Sequence, residues 1–245
     1  MRTVGVLGGM GPAATLDFMA KALKAGEGAS EQDNLRLIVD CNPKVLDRNA
    51  ALGGEGPSPG PALAAMARGL EAAGADFLVM ACNAAHAWQG EIEAATALPF
   101  VSIIEETCRW LGEREPAGRR IGLMAADAGL KSRLYQDALA RAGLAPVTPR
   151  PEETARFMDA LFAFKTGDLG PGPRAEMRAC AKALIEAGAQ VILAACTEVP
   201  LLVGAGDLTV PFVDATQILA LRTVAYARGE PLPIRPPEAE RLRRG

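Results

Sequence analysis

Residues 77–86 read FLVMACNAAH and residues 191–200 read VILAACTEVP, and these two stretches decide the fold. Each begins as an apolar run of strand length and stops at a cysteine followed by small polar residues. Each is preceded by the same dipeptide, Gly74-Ala75 and Gly188-Ala189. Cys82 and Cys196 are 114 residues apart, and so are Gly74 and Gly188. Matched elements at one offset predict a duplicated α/β unit that presents two thiols to one site.

The surrounding chain repeats as well. The strand-like VGVL at residues 4–7 is echoed by IGLM at 121–124, and PFV at 99–101 returns at 211–213. The first strand runs into Gly8, Gly9, Met10, Gly11 and Pro12, and a helix is predicted over about 13–25, with Pro12 at its first position. The glycines permit a tight turn and bring amide N–H groups to the helix start, where anions are favoured. Their spacing fits neither a Walker loop nor GxGxxG. Two readings stay open, a backbone cradle for an anion or carboxylate and a tight turn packed on the sheet. Residues 35–39 form a second predicted strand, and the Gly- and Pro-rich segment 43–61 reads as a loop long enough to be a lid or binding loop. Arg48 lies in it, either as a guanidinium that forks onto a carboxylate or as an ordinary solvated arginine.

Helical spacing follows at 62–73, 131–142 and 174–187, each stretch closed by a glycine, and a last helix is predicted over about 215–228. Strands alternating with helices predict parallel sheets with right-handed crossovers. The fold class is therefore α/β, as two pseudo-symmetric Rossmann-like domains, each a mainly parallel sheet flanked by helices. The predicted division is 1–100 with 207–230, then 101–206, with 231–245 as a C-terminal tail that is poorly ordered or a packing extension. Ligands of such sheets lie beyond the carboxyl ends of the strands. The active site is expected in the cleft between the domains, with Cys82 and Cys196 on opposite walls. Each would sit just before a helix N-terminus, a position that favours the thiolate.

Composition narrows the function. A net charge of −3 argues against non-specific nucleic-acid binding, which needs a basic stripe. No apolar run reaches the roughly 18 residues of a membrane span, and residues 1–15 lack the apolar core of a signal peptide. A cytoplasmic protein is expected, with no membrane partner. The five cysteines form no CxxC pair, and a single histidine argues against a zinc site. Cys108 and Cys180 fall inside predicted helices and read as small buried hydrophobes.

The motifs GGMGPAAT (8–15), LDR (46–48), ACNAAH (81–86), SRLY (132–135), FKTG (164–167) and ACTEVPLL (195–202) together resemble the aspartate/glutamate racemases, in their cofactor-independent aspartate racemase branch. The resemblance runs to about residue 228. It implies a two-domain fold, a homodimer, and racemisation or epimerisation of an aspartate- or glutamate-like amino acid at Cα without PLP, metal or nucleotide. Cys82 and Cys196 match the family's acid/base pair, and Arg48 and Lys165 match basic residues that bind substrate carboxylates. Met10 and Gly11 in the glycine turn, Asn83 and Ala84 after the first cysteine, and Thr197 and Glu198 after the second complete the expected substrate-binding set. His86 either orients a polar neighbour or is structural. At three positions where the family usually carries threonine, this chain has Ala84, Ala126 and Gly129.

The chemistry explains a pair of thiols. Inverting a stereocentre by proton transfer needs a base on one face of Cα and an acid on the other. The carbanion-like transition state also needs fixed dipoles and cations around it. The alternatives are another Cα chemistry of the superfamily (hydantoin racemase, maleate isomerase or malonate decarboxylase type) and a non-catalytic amino-acid or dicarboxylate binding protein.

Overall fold

The structure, a computed structural model, describes residues 1–233, so most of the expected 231–245 tail lies outside the described residues. The first half runs β1 (Val4–Gly8), α1 (Pro12–Ala25), β2 (Leu37–Cys41), α2 (Arg48–Leu52), α3 (Gly60–Ala72), β3 (Phe77–Met80), α4 (Gln89–Ala95) and β4 (Phe100–Val101). The second runs α5 (Ile103–Gly112), β5 (Arg120–Met124), α6 (Asp127–Lys131), α7 (Leu134–Arg141), β6 (Ala145–Val147), α8 (Pro151–Lys165), α9 (Pro171–Glu186), β7 (Val191–Ala194), β8 (Phe212–Asp214) and α10 (Ala215–Ala227).

Two four-stranded sheets result, ordered β2-β1-β3-β4 and β6-β5-β7-β8, with every pairing parallel. The identical order is the duplication expected from the sequence. Its echoed glycines have a shared physical cause. A Cβ on Gly5 would lie 2.9 Å from the Cβ of Ala75, and a Cβ on Gly122 would lie 2.8 Å from the Cβ of Ala189. Each glycine lets the turn after a helix press against the first strand of its sheet.

Helices cover both faces of each sheet, so β1, β3 and β7 are buried along their whole length, as parallel strands require. Between the halves lies one continuous core: Val79 and Leu193 from the two sheets share a cluster with Phe18, Cys108 and Leu219 from α1, α5 and α10. The seam carries a buried carboxylate, Glu106 on α5. It accepts from the Tyr226 hydroxyl at 2.8 Å and from Arg222 Nε at 3.0 Å, and pairs with Arg109 at 3.1 Å.

Several sequence expectations need correction. Segment 207–230 does not go as a whole with the first sheet: β8 pairs with β7 in the second, whereas α10 packs against α1. The presumed loop 43–61 contains α2, a five-residue helix that lacks apolar periodicity and is capped by the Asp47 side chain on the amides of Asn49 and Ala50. The edge strand β6 is not expected from the sequence; it contains Pro146, tolerated there because an edge strand need not donate on its open side. Neither cysteine directly precedes an α-helix: 3₁₀ turns, Ala84–Trp88 and Val199–Leu201, follow them. Among the described residues no helix is long and apolar enough to cross a membrane.

Candidate active site

Cys82 lies two residues beyond the end of β3 and Cys196 two residues beyond the end of β7, at the carboxyl ends of the two sheets. Both are buried, and both line one cavity between the halves. Of the predicted site residues, Met10, Arg48, Asn83, Ala84, Lys165, Thr197 and Glu198 line it with them. Gly11 does not. It lines a larger neighbouring cavity of about 560 Å³, which meets the first at Met10, Arg48, Lys165 and Glu198. The cavity holding the thiols is only about 20 Å³, room for one water molecule.

Cys196 is embedded in polar partners. Its thiol donates to Glu198 Oε2 at 3.1 Å, and the Thr197 hydroxyl donates to the same oxygen at 3.1 Å. Lys165 Nζ pairs with the other oxygen, Oε1, at 3.1 Å. Burial raises the thiol pKa well above its ordinary value and the adjacent Glu198 charge adds to this, outweighing the opposing pull of Lys165. Cys196 is thus held as a thiol, contrary to the expected helix-start activation. Burial alone would pull the Lys165 pKa down, but Glu198 and the sulfurs of Cys196 and Cys82 more than offset it, and its ammonium is retained. One cation therefore feels both thiols.

Arg48 is buried, not solvated, and its guanidinium is already engaged. It donates to the carbonyls of Val45 at 3.1 Å, Leu46 at 2.8 Å and Met10 at 3.2 Å, tying the glycine turn to the entry of α2. The turn itself is closed by Gly9, at φ +90°, where a Cβ would lie 2.3 Å from the Asn42 amide nitrogen. The Gly9 N–H donates to the Thr15 hydroxyl at 2.8 Å, so it packs the turn onto α1 instead of facing an anion.

His86 is structural. The Ile103 amide donates to its Nε2 at 3.2 Å, which leaves the proton on Nδ1, donated to the Cys82 carbonyl at 2.8 Å. Burial pushes its pKa down to about 4, against two backbone hydrogen bonds that favour the charged form. The ring is neutral and fixes the backbone of Cys82 to the start of α5.

Sequence reasoning missed Asn49 and Leu161 in the cavity wall and Tyr135 behind it. Asn49 Oδ1 accepts from the Ala128 amide at 3.0 Å, and the Tyr135 hydroxyl donates to Asn83 Oδ1 at 2.7 Å, so both bonds span the two halves. Tyr135 stood within the SRLY motif, but nothing in the sequence indicated its partner. Ala84, Ala126 and Gly129 all line the cavity, so the three absent hydroxyls leave it less polar. Among the described residues no group of three or more His, Cys, Asp or Glu side chains is placed to hold a metal ion.

Residues 7–223 match the family model described as Asp/Glu/Hydantoin racemase. The chain is 26% identical over 231 residues to a protein named broad specificity amino-acid racemase RacX from Bacillus subtilis, covering 91% of this chain and 96% of that one. Among solved structures, Picrophilus torridus aspartate racemase superposes with a TM-score of 0.81 at 26% identity, covering 95% of this chain and 96% of its own. Francisella tularensis glutamate racemase, solved with D-glutamate, shares the fold at a TM-score of 0.63 and 15% identity, over 92% and 80% of the two chains. Two parallel sheets of one topology, meeting at a pair of cysteines and matched along nearly all of the described chain, place this protein in the Asp/Glu/Hydantoin racemase family and make it an isomerase.

Proposed function

We propose that the protein inverts the Cα stereocentre of an α-amino acid by two-base proton transfer, with Cys82 and Cys196 as the reacting groups. The observation that carries this reading is that both thiols, from separate sheets, line one buried cavity together with the Lys165 ammonium. Cys196 rests as the thiol, and in one direction of turnover Cys82 is the base that takes the Cα proton. The Cα–H bond breaks, its electron pair passes onto Cα and the adjoining carboxylate, and an S–H bond forms at Cys82. The Cys196 S–H bond then breaks as a new C–H bond forms on the other face, leaving its sulfur as thiolate. The opposite enantiomer reacts by the reverse path. Charge gathering on the substrate carboxylate is met by Lys165 and by the neutral amide donor of Asn83. No redox change or cofactor is required by this balance.

The test is incubation with paired L- and D-amino acids in D₂O, following deuterium at Cα and optical inversion by NMR and polarimetry. The panel spans acidic, aliphatic and basic side chains, because the similar proteins are named for both aspartate and broad-specificity racemisation. Aspartate and glutamate lead it, since Arg48 and Lys165 place two cations at the cavity. Inversion should fall by at least about 100-fold in both Cys82→Ser and Cys196→Ser. Inversion at the wild-type rate in both variants would refute the mechanism.

A further inference from the structure

We propose that Tyr135 is a positioning residue for this reaction: its hydroxyl fixes the Asn83 side-chain amide so that the NH₂ group faces the substrate cavity. The inference rests on the racemase reading above. Tyr135 lies on α7 in the second half, and Asn83 directly follows Cys82 in the first. Their hydrogen bond, 2.7 Å from the Tyr135 hydroxyl to Asn83 Oδ1, is buried at both ends.

An amide side chain has one acceptor oxygen and two N–H donors, and turning it over exchanges them. With Oδ1 held by Tyr135, Asn83 Nδ2 is left buried with no hydrogen-bond partner among the described residues. Leaving a buried donor unpaired is costly, yet this one belongs to a residue that lines the cavity with both thiols. A substrate carboxylate supplies the missing acceptor, and it does so most strongly as negative charge builds on loss of the Cα proton. Turned the other way, the amide would present its oxygen to that same charge and repel it. Burial also drives the Tyr135 pKa well above its ordinary value, so the hydroxyl keeps its proton through the working pH range. Because its partner lies across the seam, the bond also makes the donor's orientation depend on the two halves being docked.

Tyr135→Phe removes one oxygen and keeps the buried ring. The experiment measures kcat and KM for Cα–H exchange in wild type, Tyr135→Phe, Asn83→Ala and the double variant, alongside urea unfolding. Tyr135→Phe should lower kcat by about tenfold or more while KM moves less, because the contact tightens in the transition state. The double variant should be no slower than Asn83→Ala alone, since the tyrosine acts through the asparagine. Unchanged kcat in Tyr135→Phe, or losses that multiply in the double variant, would overturn the proposal. A second readout needs no turnover: in protein labelled with ¹⁵N-asparagine, the Asn83 side-chain NH₂ resonances, identified by their loss in Asn83→Ala, should shift and broaden in Tyr135→Phe. If no amino acid on the panel exchanges, the racemase reading fails, and these resonances still decide the positioning claim, because identical signals in wild type and Tyr135→Phe would refute it.

Discussion

The Cys196 sulfur donates to Glu198 Oε2 across 3.1 Å, and this contact with a buried carboxylate adds to burial in holding the proton on sulfur. Removing the charge while keeping the shape, by Glu198→Gln, leaves Lys165 as the dominant neighbour of Cys196, so the thiol pKa falls. Each unit of that fall raises the thiolate fraction about tenfold at a fixed pH below the pKa. Pulse alkylation with iodoacetamide, read at the Cys196 peptide by mass spectrometry, should therefore be at least about tenfold faster in Glu198→Gln than in wild type. Equal rates would mean that burial alone holds the proton on sulfur.

The same carboxylate makes Lys165 a stability determinant. Lys165→Met leaves the Glu198 charge buried without its 3.1 Å partner, a change that costs about 3 kcal/mol when one member of a buried pair is lost. Because Lys165 is still about one-quarter exposed, solvent screening lowers the expected loss to about 1–2 kcal/mol. Adding Glu198→Gln removes the orphaned charge, so the double variant should unfold at a higher urea concentration than Lys165→Met alone. A double variant that is no more stable would show that the pair contributes nothing as a pair.

The strand ends, the duplicated architecture and the two thiols were legible because each rests on local pattern: an apolar run, a cysteine at its end, and a glycine echoed at one offset. Arg48, Lys165 and Asn83 were legible as members of motifs, but their partners were not. Arg48 spends its donors on three carbonyls, and no spacing rule predicts that a loop arginine folds back on its own backbone. The helix that begins at Arg48 has five residues, too few for a periodic pattern, and is started by one capping side chain. The bonds Tyr135–Asn83 and Asn49–Ala128 join residues whose proximity exists only once the halves dock. Which thiol keeps its proton is not legible in the sequence, because at Cys196 burial and a carboxylate two residues away outweigh any effect of a helix start.

Arg48 makes a prediction in which charge and geometry separate. Arg48→Lys preserves the charge but cannot reproduce a fork that reaches Val45, Leu46 and Met10 together. At least one buried carbonyl then loses its donor, at about 1–3 kcal/mol, and the glycine turn loses its tie to α2. The melting temperature should drop and KM should rise in Arg48→Lys almost as much as in Arg48→Ala. A lysine variant with wild-type stability would mean that the charge, not the fork, is what the site uses.

His86 gives the fold a dependence on acid that can be isolated from that of its carboxylates. Its imidazole is neutral in the native state, with a pKa of about 4, against 6.5 when unfolded. Between those values the unfolded chain binds a proton that the native chain does not, so stability falls as pH drops from 6.5 toward 4. The loss contributed by this one ring is about 1.4 kcal/mol per pH unit, or about 3 kcal/mol over the window. His86→Gln removes the titration, and its side-chain amide can still donate to the Cys82 carbonyl that the ring now holds. Urea unfolding at pH 7 and pH 5 should show wild type losing about 2 kcal/mol more than His86→Gln across that interval. Losses of equal size would mean that the buried ring accepts a proton without opening the fold. In that case the hydrogen bond from the Ile103 amide to Nε2, which only a neutral ring can accept, would not be what anchors Cys82.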